Sequence, residues 1–272
     1  MNIANSERGC DLLETDIPDD EIVEGSRGSC IICRMIINRP VREVVDQLTR
    51  YLGVWVWASV ATMTVLMVLG FALGIVASAF ALANYGLEPG DPDYNMRMLY
   101  FNLTAGLPNA VAAVLISGGL YRMALAQHRG VAPALSQLFS IRDVFWKLAA
   151  LGFTWHIFKV LVWALLMRSY GWPGGLLPQL SLTFIIVTLA LFTVPLVVDR
   201  RIGPIAAIRL SLQVVLRQLF RATWLNIKAG LCSLVGLIAC GVGVVITLPL
   251  FYLIISRAYL DVFADCEAGE AG

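Results

Sequence analysis

Charged residues are scarce in this chain, and acidic ones almost disappear from its central part. They make up 14% of the 272 residues, against about 25% in soluble proteins, and only five carboxylates lie between Tyr51 and Leu260. A soluble globular domain is therefore excluded. The net charge of +1 also excludes nucleic acid as a partner on bulk electrostatics.

Residues that support catalysis or hold cofactors are equally few. The chain has two histidines and no recognisable nucleophile beside a base, phosphate-binding glycine loop or carboxylate pair. Cys30 and Cys33 have the spacing of half a zinc site, but no second ligand pair accompanies them, and an isolated pair of this kind is a weak signal. We therefore predict no enzymatic activity, no cofactor and no metal site.

Apolar residues make up 58% of the chain and gather into long uninterrupted blocks, with a mean hydropathy of +0.76. A membrane-spanning helix needs about 20 of them. The block 222–260 is about twice that long, so it must fold back, and Cys240-Gly-Val-Gly243 is the best break. The fold class predicted is an all-α, polytopic membrane protein with six spans, at about 52–83, 98–121, 147–168, 176–198, 222–239 and 243–260.

Basic residues give the predicted orientation, because loops on the cytoplasmic side are enriched in Lys and Arg. With six spans, 15 of the 20 basic residues fall on the side that carries both termini. Residues 1–33 hold eight acids and two arginines, as expected of a disordered cytosolic tail. We predict a six-helix domain over 34–263, a short cytosolic tail over 264–272, and the bacterial inner membrane as its location.

The inner connections are themselves amphipathic. Each begins with Pro40, Pro133 or Pro204 and continues with apolar residues at helical spacing, as expected of helices lying in the plane of the cytoplasmic interface. The apolar positions are Val41, Val44, Val45, Leu48 and Leu52; Ala134, Leu138, Ile141, Phe145 and Leu148; and Ile205, Ile208, Leu212, Val215 and Leu219. This pattern is explained either by three copies of one unit, or by the amphipathic connections that any multispanning protein needs between its hairpins.

Three motifs resemble a known family. They are GVAPALSQLF at 130–139, PLVVDRRIGPIAAIRLS at 195–211 and CGVGVVITLP at 240–249, with Tyr259 in the last span. Together they resemble uncharacterised bacterial multispanning membrane proteins, similar to the membrane domain found on some glycerophosphodiester phosphodiesterases. The resemblance covers roughly residues 50–263 and implies six helices in the inner membrane. It carries no catalytic residue over, since the phosphodiesterase domain is missing.

Four polar residues within spans form a candidate intramembrane site. His156 and Lys159 are three residues apart, so both lie towards one helix face, and they are predicted to contact a lipid headgroup or small anion. Asn102 and Asn109 flank Pro108, which interrupts the second span. The alternatives are a lysine that snorkels to an interface, a histidine bonded to a carbonyl, and a proline kink repaired by neighbouring side chains.

Small residues recur on the first span at Gly70, Gly74 and Ser78, a spacing that favours close helix packing. Such packing serves either the bundle itself or contact with another protomer.

The sequence therefore predicts a non-catalytic inner-membrane protein that organises or regulates the membrane through lipid headgroups or a protein partner. Its partners would be membrane lipids, and a protein partner or a homo-oligomer stays open. The alternative is a transporter or channel for a small solute or anion that uses the polar face of spans two and three.

Overall fold

The computed structural model describes residues 41–85, 94–170, 176–238 and 242–270. The predicted acidic tail with Cys30 and Cys33, the proline at 40 and the first two residues of the proposed break at 240–243 lie outside these ranges. The described residues form ten α-helices and no strand. They are α1 Val41–Arg50, α2 Leu52–Tyr85, α3 Tyr94–His128, α4 Leu135–Phe139, α5 Phe145–Tyr170, α6 Leu176–Leu189, α7 Thr193–Arg200, α8 Pro204–Arg217, α9 Leu219–Ile238 and α10 Val242–Glu270.

Five segments of the described chain are helical and are long and apolar enough to cross a membrane, as predicted for an all-α membrane protein. They are Leu52–Val76, Gly106–His128, Phe145–Leu166, Leu177–Arg200 and Gly243–Phe263. Helix α9 stands at the fifth of the six predicted positions but is not among them. Arg221, Asn226 and Lys228 lower its hydropathy.

The long apolar block near the carboxyl end divides into two helices. Helix α9 ends at Ile238 and α10 begins at Val242, inside the predicted break at 240–243. The two helices then pack extensively against each other. The chain therefore folds back in this region, as the length of the block requires.

Helix α3 is the centre of the bundle, and glycines bring α5 close to it. A Cβ added to Gly152 on α5 would lie 2.9 Å from the Cα of Val111, and one added to Gly106 on α3 would lie 2.5 Å from the His156 ring. Without side chains at these points the two backbones approach closely, which is the usual way that membrane helices associate. Helices α2, α4, α7 and α10 also contact α3.

The predicted small-residue stripe on α2 makes no comparable approach among the described residues. An added Cβ at Gly70 would meet only the Asn109 Oδ1, at 4.0 Å, and one at Gly74 would meet no described atom within 4 Å. The surroundings of the Ser78 side chain lie outside the described part of the chain.

The fourth predicted span is bent, which the sequence did not lead us to expect. Its helix stops at Leu189 and resumes at Thr193 as α7. Pro195 lies in the first turn of α7 and has no N–H to continue the backbone ladder. Ser211 of α8 repairs the gap, since its hydroxyl donates to the Leu189 carbonyl at 2.9 Å and accepts from the Phe192 N–H at 3.3 Å.

The prediction of a long amphipathic helix after Pro133 is wrong, because the helix there is only five residues long. Helix α4 ends at Phe139, and a turn separates it from α5. Arg122 of α3 donates to the Ser140 carbonyl and to the Asp143 carboxylate, and these bonds hold the backbone out of a helix. The predicted stripe from Ala134 to Leu148 is therefore interrupted.

Helices α1 and α8 begin where the sequence places them, directly after the proline at 40 and at Pro204. The buried face of α8 coincides only in part with the predicted apolar stripe, however. Its buried residues are Ala207, Ser211, Val214 and Val215, whereas Ile205 is exposed. The helix is turned so that Ser211 reaches the bend in the fourth span.

We predict that Ser211→Ala lowers the free energy of unfolding by about 1–3 kcal/mol, because it leaves the Leu189 carbonyl and the Phe192 N–H unpaired. Thermal unfolding of the purified protein in detergent measures this loss. Ser136→Ala, at an exposed position of α4, is the matched control. Equal stability of the two variants would show that the hydroxyl does not support the bend.

Candidate functional site

The basic end of the bundle is the end at which α3 and α7 finish and α5 begins. We define it by Arg122, Arg129, Lys147, Arg200 and Arg201. A cavity of about 340 Å³ opens at this end between α3, α4 and α7. It is lined by Arg122, Leu125, Ala126, Arg129, Val131, Gln137, Val198, Asp199 and Arg201.

Arg122 builds one wall of this cavity. Its guanidinium binds both oxygens of Asp143, at 2.9 and 3.0 Å, and also donates to the Ser140 carbonyl. A two-point arginine–carboxylate pair fixes both partners in one orientation. Arg122 therefore holds the turn before α5 against the end of α3.

Asp199 joins three helices at a second wall. One of its oxygens lies 2.6 Å from the Arg129 guanidinium, directly after α3, and the other accepts the Tyr259 hydroxyl of α10 at 3.0 Å. Tyr259 is buried, so this contact anchors the end of α7 within the bundle. The carboxylate thus has partners on both of its oxygens.

Arg201 ends α7 in an unusual backbone conformation, with a φ of 54°. Residues other than glycine adopt this left-handed region at a cost of about 1–2 kcal/mol. In this position its carbonyl accepts a hydrogen bond from Lys147, and its Nε lies 3.3 Å from Asp143. The side chain of Arg201 therefore reaches the cavity while its backbone binds α5.

Positive charge exceeds negative charge around the cavity. Arg122, Arg129, Lys147 and Arg201 carry four charges against two on Asp143 and Asp199, which leaves +2. The Arg129 and Arg201 side chains remain 54% and 66% exposed. Since a guanidinium has five N–H donors, both retain donors beyond their ion pairs. This arrangement suits an anion with several acceptor oxygens, such as a phosphate.

The arginine contacts also lower the pKa of Asp143. The hydrogen bond from Arg122 is the largest cause, and the charges of Arg122 and Arg201 act in the same direction against partial desolvation. Asp143 is therefore ionised throughout the neutral range. The ion pairs at this end of the bundle are fully formed there.

The structure does not gather the four predicted intramembrane residues into one site. His156 is buried against Gly106 between α5 and α3, but Lys159 is exposed on α5. Asn109 is half-buried and its Oδ1 is shielded from solvent without a hydrogen-bond partner among the described residues. Asn102 belongs to α3, and the surroundings of its side chain lie outside the described part.

Sequence reasoning missed the pairing between Asp199 and Arg129. In sequence alone, the run Asp199-Arg200-Arg201 is typical of a basic anchor at a helix end, or of a local ion pair that docks the next helix. Asp199 instead pairs with a residue 70 positions earlier, and Arg200 donates to the Phe263 carbonyl. The available signal was the scarcity of acids, because Asp143 and Asp199 are the only carboxylates in 94–260.

No protein-family model, curated protein or solved structure matches this chain. The family resemblance of the three motifs therefore stays a prediction. Within the described ranges, no group of three or more His, Cys, Asp or Glu side chains is placed to hold a metal ion.

We predict that Asp143 stabilises the fold only while it is ionised. Because its folded pKa lies below the ordinary 3.8, its contribution is present at pH values above 3.8 and is lost as the pH falls through the lowered pKa. Thermal unfolding of wild type and Asp143→Asn should differ at neutral pH and converge in acid. For Asp46→Asn, at an exposed position of α1, we expect a smaller difference at neutral pH. A difference that persists undiminished below the lowered pKa would contradict the assignment.

Proposed function

We propose that this protein is a non-catalytic membrane protein that binds anionic phospholipid headgroups at its basic end and thereby organises or regulates the membrane. The cavity between α3, α4 and α7 supports this proposal above all. Three arginines line it, whereas Asp199 is its single acidic lining residue among those described. A phosphodiester has the charge and the acceptor oxygens that such a cavity requires.

Exposed apolar side chains close to cations in the sequence further support a lipid interface. Phe220, Trp146 and Ile205 are 86%, 80% and 69% exposed, and each lies within four residues of an arginine or a lysine. Arg209 and Arg217 are exposed on α8 among them. Apolar groups that enter the acyl region beside cations that meet phosphates are typical of helices lying in a membrane interface. We assign α1, α4 and α8 to this interface.

The proposed topology has six spans, with α9 as the fifth and both termini in the cytoplasm of a bacterium. The polar residues of α9 fit this role because Asn226 donates to the Thr188 hydroxyl of α6 at 2.8 Å, and Lys228 lies over the Trp224 ring. Such contacts lower the cost of placing polar groups in a membrane. The basic end then faces the cytoplasm, as the distribution of Lys and Arg requires.

Transport of a small solute or anion is the second candidate. The buried His156, against Gly106 of α3, and the shielded Asn109 oxygen, on the side of α3 that faces Gly70 of α2, favour it, since both are polar groups within the bundle. Exposure of Lys159 on the outside of α5 weakens it, because a polar path through the bundle would need that charge inside. The headgroup proposal therefore accounts for more of the described residues.

Removing two cavity charges should reduce retained anionic lipid. We expect Arg129→Gln with Arg201→Gln to retain several-fold less phosphatidylglycerol after detergent purification, as counted by native mass spectrometry. The matched control is Arg142→Gln with Arg221→Gln, which removes two exposed charges outside the cavity. If both double variants keep the wild-type amount, headgroup binding at this end is wrong.

Topology reporters fused after residues 91, 173 and 241 should all read as periplasmic. This follows from six spans with a cytoplasmic amino terminus, because each site then lies on an outer connection. A cytoplasmic result at 91 and 173 would reverse the orientation. A cytoplasmic result at 241 alone would show that α9 and α10 enter the membrane without crossing it.

A further inference from the structure

A second cavity lies within the apolar part of the bundle, away from the arginines. Its volume is about 350 Å³, within the range of small-molecule sites. It lies between α5, α6 and α8, and we call it the bend groove. Its lining residues are Leu151, Thr154, Trp155, Phe158, Ile186, Leu189, Ala190, Ile208 and Leu212.

The groove lies at the bend in the fourth span. Ile186 and Leu189 belong to the last turn of α6, and Ala190 is the first residue of the bend. Ile208 and Leu212 come from α8 on either side of Ser211, whose hydroxyl binds the two ends of the bend. The same contact that repairs the broken helix therefore positions one wall of the groove.

The depth and chemistry of the groove select an apolar occupant. Leu151 to Phe158 lie within the apolar segment Phe145–Leu166, and Ile186 to Ala190 lie within Leu177–Arg200. The hydroxyl of Thr154 donates to the Ala150 carbonyl of its own helix, so it is already satisfied. A hydrocarbon chain meets these requirements, whereas a polar solute would lose its hydrogen bonds there.

A cation, Lys147, lies beyond the groove in the direction of the basic end. Lys147, Leu151, Thr154 and Phe158 have the spacing i, i+4, i+7 and i+11, so Lys147 lies on the same face of α5, one turn beyond the groove. Its ammonium is held at the end of α7 by the Arg201 carbonyl. An apolar groove one helical turn away from a positioned ammonium matches a phospholipid, with its acyl chain in the groove and its phosphate at the ammonium.

We propose that the bend groove holds one acyl chain of an anionic phospholipid whose phosphate contacts Lys147. This deepens the proposed function and rests on it, because it names the lipid component that the groove recognises. The arginine cavity and the bend groove are separate sets of residues that share only the neighbourhood of Lys147 and Arg201. They can therefore be tested separately.

The first test fills the groove. The full chain is delipidated in detergent, incubated with dioleoyl phosphatidylglycerol, and its bound lipids are counted by native mass spectrometry. Ile208→Trp should reduce occupancy of the most tightly held lipid at least ten-fold. Leu216→Trp, on the same helix but exposed and outside the groove, is the matched control and should leave it unchanged.

The second test needs no substitution that enlarges a side chain. Trp155 lines the groove, so phosphatidylglycerol with brominated chains should quench its fluorescence, measured as the difference between wild type and Trp155→Phe. Quenching should saturate at one lipid per chain. Lys147→Gln should weaken it several-fold, and Lys147→Arg should restore it.

The outcomes separate this inference from the broader proposal. Loss of lipid in the Arg129 and Arg201 double variant, with full retention and full quenching in Ile208→Trp, would overturn the groove and leave the headgroup function standing. Equal binding of dioleoyl phosphatidylcholine would overturn the role of Lys147. A dimer that Ile208→Trp abolishes, with no bound lipid, would show that a second copy of the chain fills the groove instead.

Discussion

The structure depends on the requirement that every backbone polar group in a membrane be satisfied within the protein. Pro195 breaks that rule in the fourth span, because its nitrogen cannot donate and the helix stops before it. Ser211 restores it by serving as acceptor and donor for the two ends of the bend. Helix α8 is thereby a part of the bundle as well as a connection between spans.

Ion pairs at the basic end organise the other helix termini in a similar way. Asp143 binds arginines from the end of α3 and from the end of α7, and Asp199 binds Arg129 and the Tyr259 of α10. Two carboxylates therefore hold four helices in register. Their surplus of cations is available to a ligand because the carboxylates are already shared.

Much of the fold could be predicted from composition, because a helix that spans a membrane can be recognised in the sequence by its length and lack of charge. The break in the block 222–260 followed from length alone. The bend in the fourth span could not be predicted, since a proline near a helix end is usually harmless and its effect here depends on a serine 16 positions later. The early end of α4 likewise depends on Arg122, which is distant in sequence from the turn that it binds.

The candidate site was harder to predict from the sequence, because it too depends on contacts between residues that are distant in sequence. Isolated polar residues such as Lys159 attract attention in an apolar span, yet sequence does not fix whether a side chain lies inside or outside the bundle. Glycines pose the same difficulty, because a glycine permits another helix to approach closely but does not indicate which helix it is. Gly152 and Gly106 make such approaches, while Gly70 and Gly74 make none among the described residues.

Two requirements conflict at position 201: a backbone conformation that suits glycine and a positive charge at the cavity. A glycine there would adopt the positive φ without strain, and the chain would leave α7 more easily. It would also remove one of the cations that line the cavity. Backbone stability and cavity charge are therefore in competition at residue 201, and the chain carries the residue that favours charge.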